Sequence, residues 1–353
     1  MKIVFFIGSM GGGGAERVLS ILANHYSLAG WDVEIALLLK NEVVYRLDEN
    51  IKIVDLSGKH KSYFRNLPSW IVRIRKYLKK TKPDRVVSFV GRINALVLMS
   101  TLGMKLPVIV SERNDPKHDG RSDFMLRVCN KSYGFGHCKA VVHQTKYEQS
   151  CFDLSLVPKS HIIPNPIEVG AQRKKADVFR IVTAGRLIAQ KNHEMLINAA
   201  SMLKDEFPTL SVDVYGDGGL KTELQALIDE KGMTNRITLR GNASDLHSRI
   251  SDAGIFVMTS KFEGLSNALL EAMMMGIPCI STDYPGADEL ISDGENGLLV
   301  PISDTEKLCA AIRRIFTDEE LRENLATEAK NSSEAYKKEC VLKKWESVIE
   351  GAV

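Results

Sequence analysis

Ile255-Phe256-Val257-Met258-Thr259-Ser260-Lys261-Phe262-Glu263-Gly264-Leu265-Ser266-Asn267-Ala268-Leu269-Leu270-Glu271-Ala272-Met273 decides how the chain is read. A short apolar run ends in a polar loop, and the loop runs into a helical pattern starting near Ser266. Strand, loop and helix in that order make one unit of a parallel sheet whose faces are covered by helices. Glu263 lies in the loop and Glu271 two turns into the helix, among Ala268, Leu269, Leu270, Ala272 and Met273. Both would open on the crevice at the carboxyl ends of the strands, where open sheets hold their ligands. Carboxylates accept hydrogen bonds from sugar and ribose hydroxyls, and helix N-terminal amides suit a phosphate. The alternative for Glu271 is an ordinary solvent-facing helix glutamate, which its apolar neighbours disfavour.

The same rhythm extends in both directions. Apolar runs at residues 3–7, 33–38, 51–56, 85–89, 107–111, 140–143 and 161–163 alternate with helical patterns at 15–29, 68–80, 93–102, 123–132 and 146–152. It restarts with strands at 180–184, 210–215, 237–240, 255–259, 278–282 and 297–300. Six or seven strands per half suit two doubly wound α/β domains better than one closed barrel. Pro164-Asn165-Pro166 and the polar run to Lys175 form the natural linker. This reading predicts domains at 1–165 and 166–335. A last helix near 334–350 would pack residues 336–353 back towards the first domain.

The 353 residues suffice for two cores, and 44% hydrophobic with 26% charged content describes a globular chain. The longest stretch without a charge, residues 18–31, is short of the roughly 20 apolar residues of a membrane span. Residues 1–8 resemble a signal peptide only superficially, since five apolar residues run into glycines and Glu16, so a first strand is expected. Cys129, Cys138, Cys151, Cys279, Cys309 and Cys340 form no C-x-x-C pair or metal-ligand spacing, as expected of reduced cytoplasmic cysteines. A formal net charge of +3 conceals an asymmetry. Residues 1–165 hold 25 Lys/Arg against 14 Asp/Glu, whereas 166–353 hold 22 against 30. The basic half is suited to an anionic partner, nucleic acid or a membrane leaflet.

Three glycine-rich strand ends carry further chemistry. Gly8-Ser9-Met10-Gly11-Gly12-Gly13-Gly14-Ala15-Glu16-Arg17 follows the first strand, where backbone N–H groups can approach an anion. A dinucleotide fingerprint is absent, because Glu16 or Arg17 stands where its third glycine belongs and the second strand ends in Leu38-Leu39-Lys40. The other reading of the four glycines is a flexible turn. Thr183-Ala184-Gly185-Arg186-Leu187, with Lys191 beyond, places two cations beside a glycine as a diphosphate clamp or a solvated loop. Tyr215-Gly216-Asp217-Gly218-Gly219 is either a third ligand loop or a helix cap by Asp217.

Taken together, Glu263-x7-Glu271, Gly185-Arg186 with Lys191, Gly216-Asp217-Gly218, the Gly11–Gly14 loop and Ile163-Pro164-Asn165-Pro166 resemble the retaining glycosyltransferases of family 4. The motifs stand in the same order and span nearly the whole chain. The resemblance implies the GT-B fold, two Rossmann-like domains facing each other across a cleft, with the acceptor in the first domain and a nucleotide-sugar donor in the second. It implies that Glu263 contacts donor-sugar hydroxyls and Glu271 the ribose. Arg186 and Lys191 would neutralise the diphosphate, as the catalytic group with Glu263. Gly185, Gly216, Gly264, Leu265 and Ser266 would bind the donor, with Gly13 and Gly14 completing the cradle. No Asp-x-Asp occurs, in keeping with a metal-independent family that needs no cofactor.

The chain departs from the family at Ser111-Glu112-Arg113-Asn114-Asp115-Pro116, where Arg113 stands in place of a histidine near the reacting sugar. His118 can replace it, or Glu112 and Arg113, with Glu16, can contact the acceptor. The remaining histidines, 25, 60, 137, 143, 161, 193 and 247, show no ligand spacing and are expected to be structural or solvated.

Residues 59–85 contain ten Lys/Arg and one acid, Asp84. Within 68–80, Trp70, Ile71, Ile74, Tyr77 and Leu78 share one helical face, and Arg73, Arg75, Lys76, Lys79 and Lys80 occupy the rest. This is the pattern of an amphipathic helix on an anionic membrane, with Trp70 at the boundary and Arg73, Lys76 and Lys80 on lipid. A helix with a core face and a wet basic face has the same pattern.

The sequence therefore predicts a metal-independent enzyme that moves a hexose or N-acetylhexosamine from a UDP-sugar to a lipid-linked polyprenyl-diphosphate oligosaccharide. It would act as a peripheral protein on the inner face of a bacterial cytoplasmic membrane. The alternatives are a sugar-nucleotide epimerase or hydrolase of the same fold, or a non-catalytic nucleotide-sugar-binding protein. No nucleic-acid-binding motif accompanies the basic stretch.

Overall fold

The computed structural model describes residues 1–40, 42–57 and 63–351. Lys59 and Lys61 of the basic stretch lie outside the described residues. The chain forms two compact units, residues 1–166 with 338–353, and residues 167–337.

The first unit runs β1 (Lys2–Ile7), α1 (Gly14–Leu28), β2 (Asp32–Leu37), β3 (Lys52–Asp55), α2 (Tyr63–Thr81), β4 (Arg85–Phe89), α3 (Gly91–Ser100), β5 (Val108–Ser111), α4 (Asp123–Tyr133), β6 (Cys138–His143), α5 (Lys146–Ser150) and β7 (Ser160–Ile162). Its parallel sheet has the order β3-β2-β1-β4-β5-β6-β7. The second runs β8 (Asp177–Ala184), α6 (His193–Leu203), β9 (Ser211–Tyr215), α7 (Lys221–Glu230), β10 (Ile237–Gly241), α8 (Leu246–Arg249), β11 (Ala253–Met258), α9 (Asn267–Met274), β12 (Cys279–Thr282), β13 (Leu298–Val300), α10 (Thr305–Thr317) and α11 (Glu319–Ser333). Its order is β10-β9-β8-β11-β12-β13, again parallel. These are two Rossmann-like domains. The strand order reverses between β1 and β4 in one sheet and between β8 and β11 in the other, and at such a point adjacent loops diverge and leave a crevice.

The final helical stretch is broken, contrary to the single helix expected from about Glu334 to Glu350. A 3-10 turn at Glu334–Tyr336 precedes an extended Lys337, and α12 (Lys338–Gly351) then returns to the first unit. Lys337 forms a bridge with Ile167, whose N–H donates to Tyr336 O at 2.9 Å, so both crossings are tied together. Val341, Trp345, Val348 and Ile349 of α12 enter one core with Ile3, Phe5 and Leu22. Burial of Trp345 and its neighbours holds α12 there through the hydrophobic effect.

The helix read as membrane-facing shows which of its two readings applies. It begins at Tyr63, five residues before Pro68, its expected start. Trp70 is only 1% exposed and packs with Ile74 and Leu78 against Val4, Phe6 and Val86. Its Nε1 donates to Leu56 O at 3.1 Å. Trp70 is therefore core and unavailable to lipid, because sequence periodicity identifies an apolar face without saying what covers it. Arg73 donates to Ser57 O at 2.5 Å, and Arg75 to Ser100 O and Leu102 O at 2.8 and 2.9 Å. Lys76, Lys79 and Lys80 remain exposed. No described helix is long and apolar enough to cross a membrane.

Candidate active site

In the second unit the expected residues gather on the carboxyl edge of the sheet, around its β8/β11 switch point. β8 ends at Ala184, and the Gly185 N–H donates to Tyr215 O at 2.9 Å. Gly216 has φ +138°, and a Cβ there would stand 1.9 Å from Gly185 O, so only glycine lets these two strand ends meet. Asp217 caps no helix; its Oδ1 accepts from the next residue's N–H at 2.9 Å.

Lys191 and Glu263, 72 residues apart, meet at Nζ–Oε1 2.5 Å with side chains 16% and 9% exposed. Two backbone ties fix the loops that carry them. Lys261 N–H donates to Gln190 O at 2.8 Å, and Thr259 Oγ1 donates to Lys191 O and Asn192 O, each at 3.0 Å. Gln190 Nε2 also donates to Phe262 O at 2.8 Å. Sequence reading did not single out Gln190 or Thr259, whose importance lies in a loop pairing that no spacing reveals. Arg186 is exposed on the β8 loop, with its cation open to solvent.

Beyond Glu263, Gly264 and Leu265 lead into Ser266, which caps α9 by accepting from Leu269 N–H at 3.4 Å. The N–H groups of that first turn, with the helix dipole, favour an anion. Glu271 is buried, which excludes the solvent-facing alternative. His247 Nε2 lies 3.1 Å from Glu271 Oε2, so His247 belongs to this site.

His193 opens α6 beside Arg186 and is structural, as expected. Its Nε2 donates to Arg186 O at 3.3 Å, and burial lowers its pKa to about 4. The unfolded chain therefore binds this proton more readily, and the stabilising effect of the neutral ring is present above about pH 6.5 and lost as pH falls towards 4. Urea unfolding at pH 5 compared with pH 7 should show a loss of roughly 2 kcal/mol that His193→Gln removes, since glutamine keeps a donor and does not titrate. An equal pH dependence in the variant would refute this assignment.

In the first unit, the loop of Gly11, Gly12, Gly13 and Gly14 is exposed and leads into α1, with Glu16 one turn in, beside Gly13. Tyr45 donates to Gly13 O at 2.9 Å and Val44 N–H to Met10 O at 3.0 Å, so a second segment braces the loop. At the same switch point Val90, the residue before α3, has φ +74°, a conformation costly for a β-branched residue.

Two expected acceptor contacts are corrected. Glu112 is buried and receives both Arg121 Nη1 and Nη2 at 2.9 Å, with Tyr133 hydroxyl as a further donor. Arg113 is buried as well. It donates to Ser111 Oγ at 2.7 Å, Asn165 Oδ1 at 2.9 Å and Ile163 O at 3.3 Å, and lies 5.2 Å over the Trp345 ring. Arg113 thus joins β5, the linker and α12, a structural role unlike that of a sugar-facing histidine. Arg121 engages Glu112, and Asn165 with Trp345 engages Arg113, so each side chain is taken up by a remote segment. His118 stays partly exposed, its Nδ1 2.6 Å from the buried Asp115 Oδ2. Near this network burial, followed by the neighbouring Glu112, raises the Glu148 pKa.

Comparison with known proteins agrees with this architecture. Residues 166–332 match the family described as glycosyl transferases group 1. The N-acetylgalactosamine-N,N'-diacetylbacillosaminyl-diphospho-undecaprenol 4-alpha-N-acetylgalactosaminyltransferase of Campylobacter jejuni is 29% identical, covering 96% of each chain. A second C. jejuni enzyme, a GalNAc-alpha-(1->4)-GalNAc-alpha-(1->3)-diNAcBac-PP-undecaprenol alpha-1,4-N-acetyl-D-galactosaminyltransferase, is 26% identical over 99% of this chain and 98% of its own. Among solved structures, Anabaena HepE in complex with UDP superposes with a TM-score of 0.85 at 18% identity, covering 99% of this chain and 100% of that one. The lipopolysaccharide outer core galactosyltransferase WaaB gives 0.81 at 20% identity, with full coverage of both. The two parallel Rossmann-like sheets and these full-length matches give the chain the GT-B fold of glycosyltransferases, and residues 166–332 match glycosyl transferases group 1.

Proposed function

We propose that the protein transfers a hexose or N-acetylhexosamine from a UDP-sugar, with retention and without a metal, to a lipid-linked oligosaccharide in bacterial glycan assembly. The observation that carries this reading is the Lys191–Glu263 contact beside Arg186 at the β8/β11 switch point. Cleavage of the sugar–phosphate bond builds negative charge on the leaving diphosphate, and fixed cations with the α9 N-terminus stabilise it as it forms. Glu263, oriented by Lys191, accepts from donor-sugar hydroxyls, and Glu271 from the ribose. Gly185, Gly216 and the Gly264–Ser266 loop let the donor approach backbone. The second unit is the donor domain; the first, with Gly13, Gly14, Glu16 and His118, receives the acceptor. UDP in HepE supports a uridine donor, and the two C. jejuni names support an acceptor on undecaprenyl diphosphate.

We place the enzyme at the cytoplasmic face of the membrane, held peripherally by Lys76, Lys79 and Lys80. At about 1 kcal/mol per cation near an anionic surface, three give weak, salt-sensitive docking. The test presents an undecaprenyl-diphosphate-linked acceptor in vesicles, with a panel of UDP- and GDP-sugars and EDTA. The expected result is an α-linked product from a UDP-sugar in EDTA, and vesicle sedimentation that Lys76→Glu with Lys80→Glu weakens. Donor breakdown without acceptor would favour a hydrolase, and an abolished reaction in EDTA would overturn the metal-free mechanism.

A further inference from the structure

We infer that His247 is a positioning residue that sets the ribose-binding carboxylate of Glu271 and thereby discriminates for a nucleotide with ribose hydroxyls. The inference rests on the reading of Glu271 as the ribose acceptor.

The argument begins with the imidazole's two nitrogens. Nδ1 accepts from the Gly170 backbone N–H at 3.2 Å, so in this arrangement Nδ1 carries no proton. The neutral ring must then carry its proton on Nε2, the atom 3.1 Å from Glu271 Oε2. A backbone amide thus determines that the proton-bearing nitrogen of the neutral ring is the one beside the carboxylate. His247 is on α8, 24 residues before Glu271, and Gly170 precedes β8, so the imidazole links a third segment to the α9 carboxylate. The His247 side chain is 21% exposed and that of Glu271 only 7%.

A carboxylate that accepts from ligand hydroxyls must hold one rotamer before the ligand arrives, otherwise the ordering is charged against binding. Contact at Oε2 restrains the Glu271 side chain before a ligand arrives. A partner of a ligand-contacting residue acts on affinity in this way without touching ligand, as outer-shell residues do at metal sites. Gln can place an amide donor near Oε2 and an acceptor near Gly170 N–H, whereas Leu offers neither.

The experiment measures calorimetric affinity for UDP or GDP, whichever binds the wild type more tightly, and for its 2′,3′-dideoxy counterpart. Four proteins are compared: wild type, Glu271→Ala, His247→Leu and His247→Gln. In wild type and His247→Gln the ribose form should bind more tightly than the dideoxy form. In His247→Leu affinity for the ribose form should fall about five- to tenfold, with the dideoxy form nearly unaffected. That differential separates positioning from misfolding, which would weaken both ligands. Undiminished ribose discrimination in His247→Leu, with its loss in Glu271→Ala, would overturn the inference alone. Undiminished discrimination in Glu271→Ala would overturn the ribose reading, and the inference with it.

Discussion

Lys191→Ala is expected to lower kcat/KM about a thousandfold, or about 4 kcal/mol of transition-state stabilisation. Two losses combine in that figure. A cation disappears from the place where diphosphate charge develops, and the Glu263 carboxylate, nearly buried, loses the ammonium 2.5 Å away. An unpaired carboxylate can turn away or take up a proton, and either change removes its grip on sugar hydroxyls. Lys191→Met with Glu263→Gln separates these contributions. If the pair acts as a unit, the double variant should be hardly slower than either single one, a non-additivity of more than 1 kcal/mol. Arginine at 191 keeps the charge but carries it on a rigid planar fork, so intermediate activity is expected. Steady-state kinetics with a fixed acceptor measure all of these, and a loss below tenfold for Lys191→Ala would remove the lysine from the catalytic group.

The second large effect is on stability. Arg121→Ala should destabilise the first unit by about 3–5 kcal/mol, since breaking a buried ion pair leaves charge without compensation. Arg121 has a side chain 1% exposed and links Glu112 to Asp119, whose Oδ2 lies 2.7 Å from its Nε. Truncation strands two buried carboxylates together. Lysine cannot reproduce the fork, so Arg121→Lys should recover less than half of the loss. Thermal unfolding should begin about 10 °C lower. Nucleotide binding measured well below that transition should persist, because Arg186, Lys191 and Glu271 belong to the other unit. Should Arg121→Ala unfold like wild type while acceptor affinity falls, Glu112 would return to the acceptor site.

The thirteen strands among the described residues could be placed from the sequence because buried parallel strands are short apolar runs bounded by loop residues. The second-unit site was legible for a related reason. In a parallel sheet the ligand loops follow strands, so Arg186, Lys191, Glu263 and Glu271 could be assigned to one edge by position alone. That rule misled at Glu112 and Arg113. They also follow a strand, but Arg121 and Asn165 reach them from elsewhere in the chain and close the space above. Trp70 shows the same limit, since its helical face was read correctly and its partner was not. Gln190 and Thr259 escaped notice, and His247 was expected to be structural or solvated, because each acts through a contact with a residue distant in sequence.

The residues near one another in the chain thus determined the local elements, the two-domain α/β plan and the loops that carry reactive groups. Periodicity and backbone chemistry are local, so one sequence suffices for them. Tertiary structure alone decided the pairings: Lys191 with Glu263, His247 with Glu271, Arg121 with Glu112, and Trp70 with the core instead of solvent. Whether a charged or aromatic side chain faces a ligand, a counter-ion or the interior depends on what a remote segment brings against it, and burial then sets the energy of that choice.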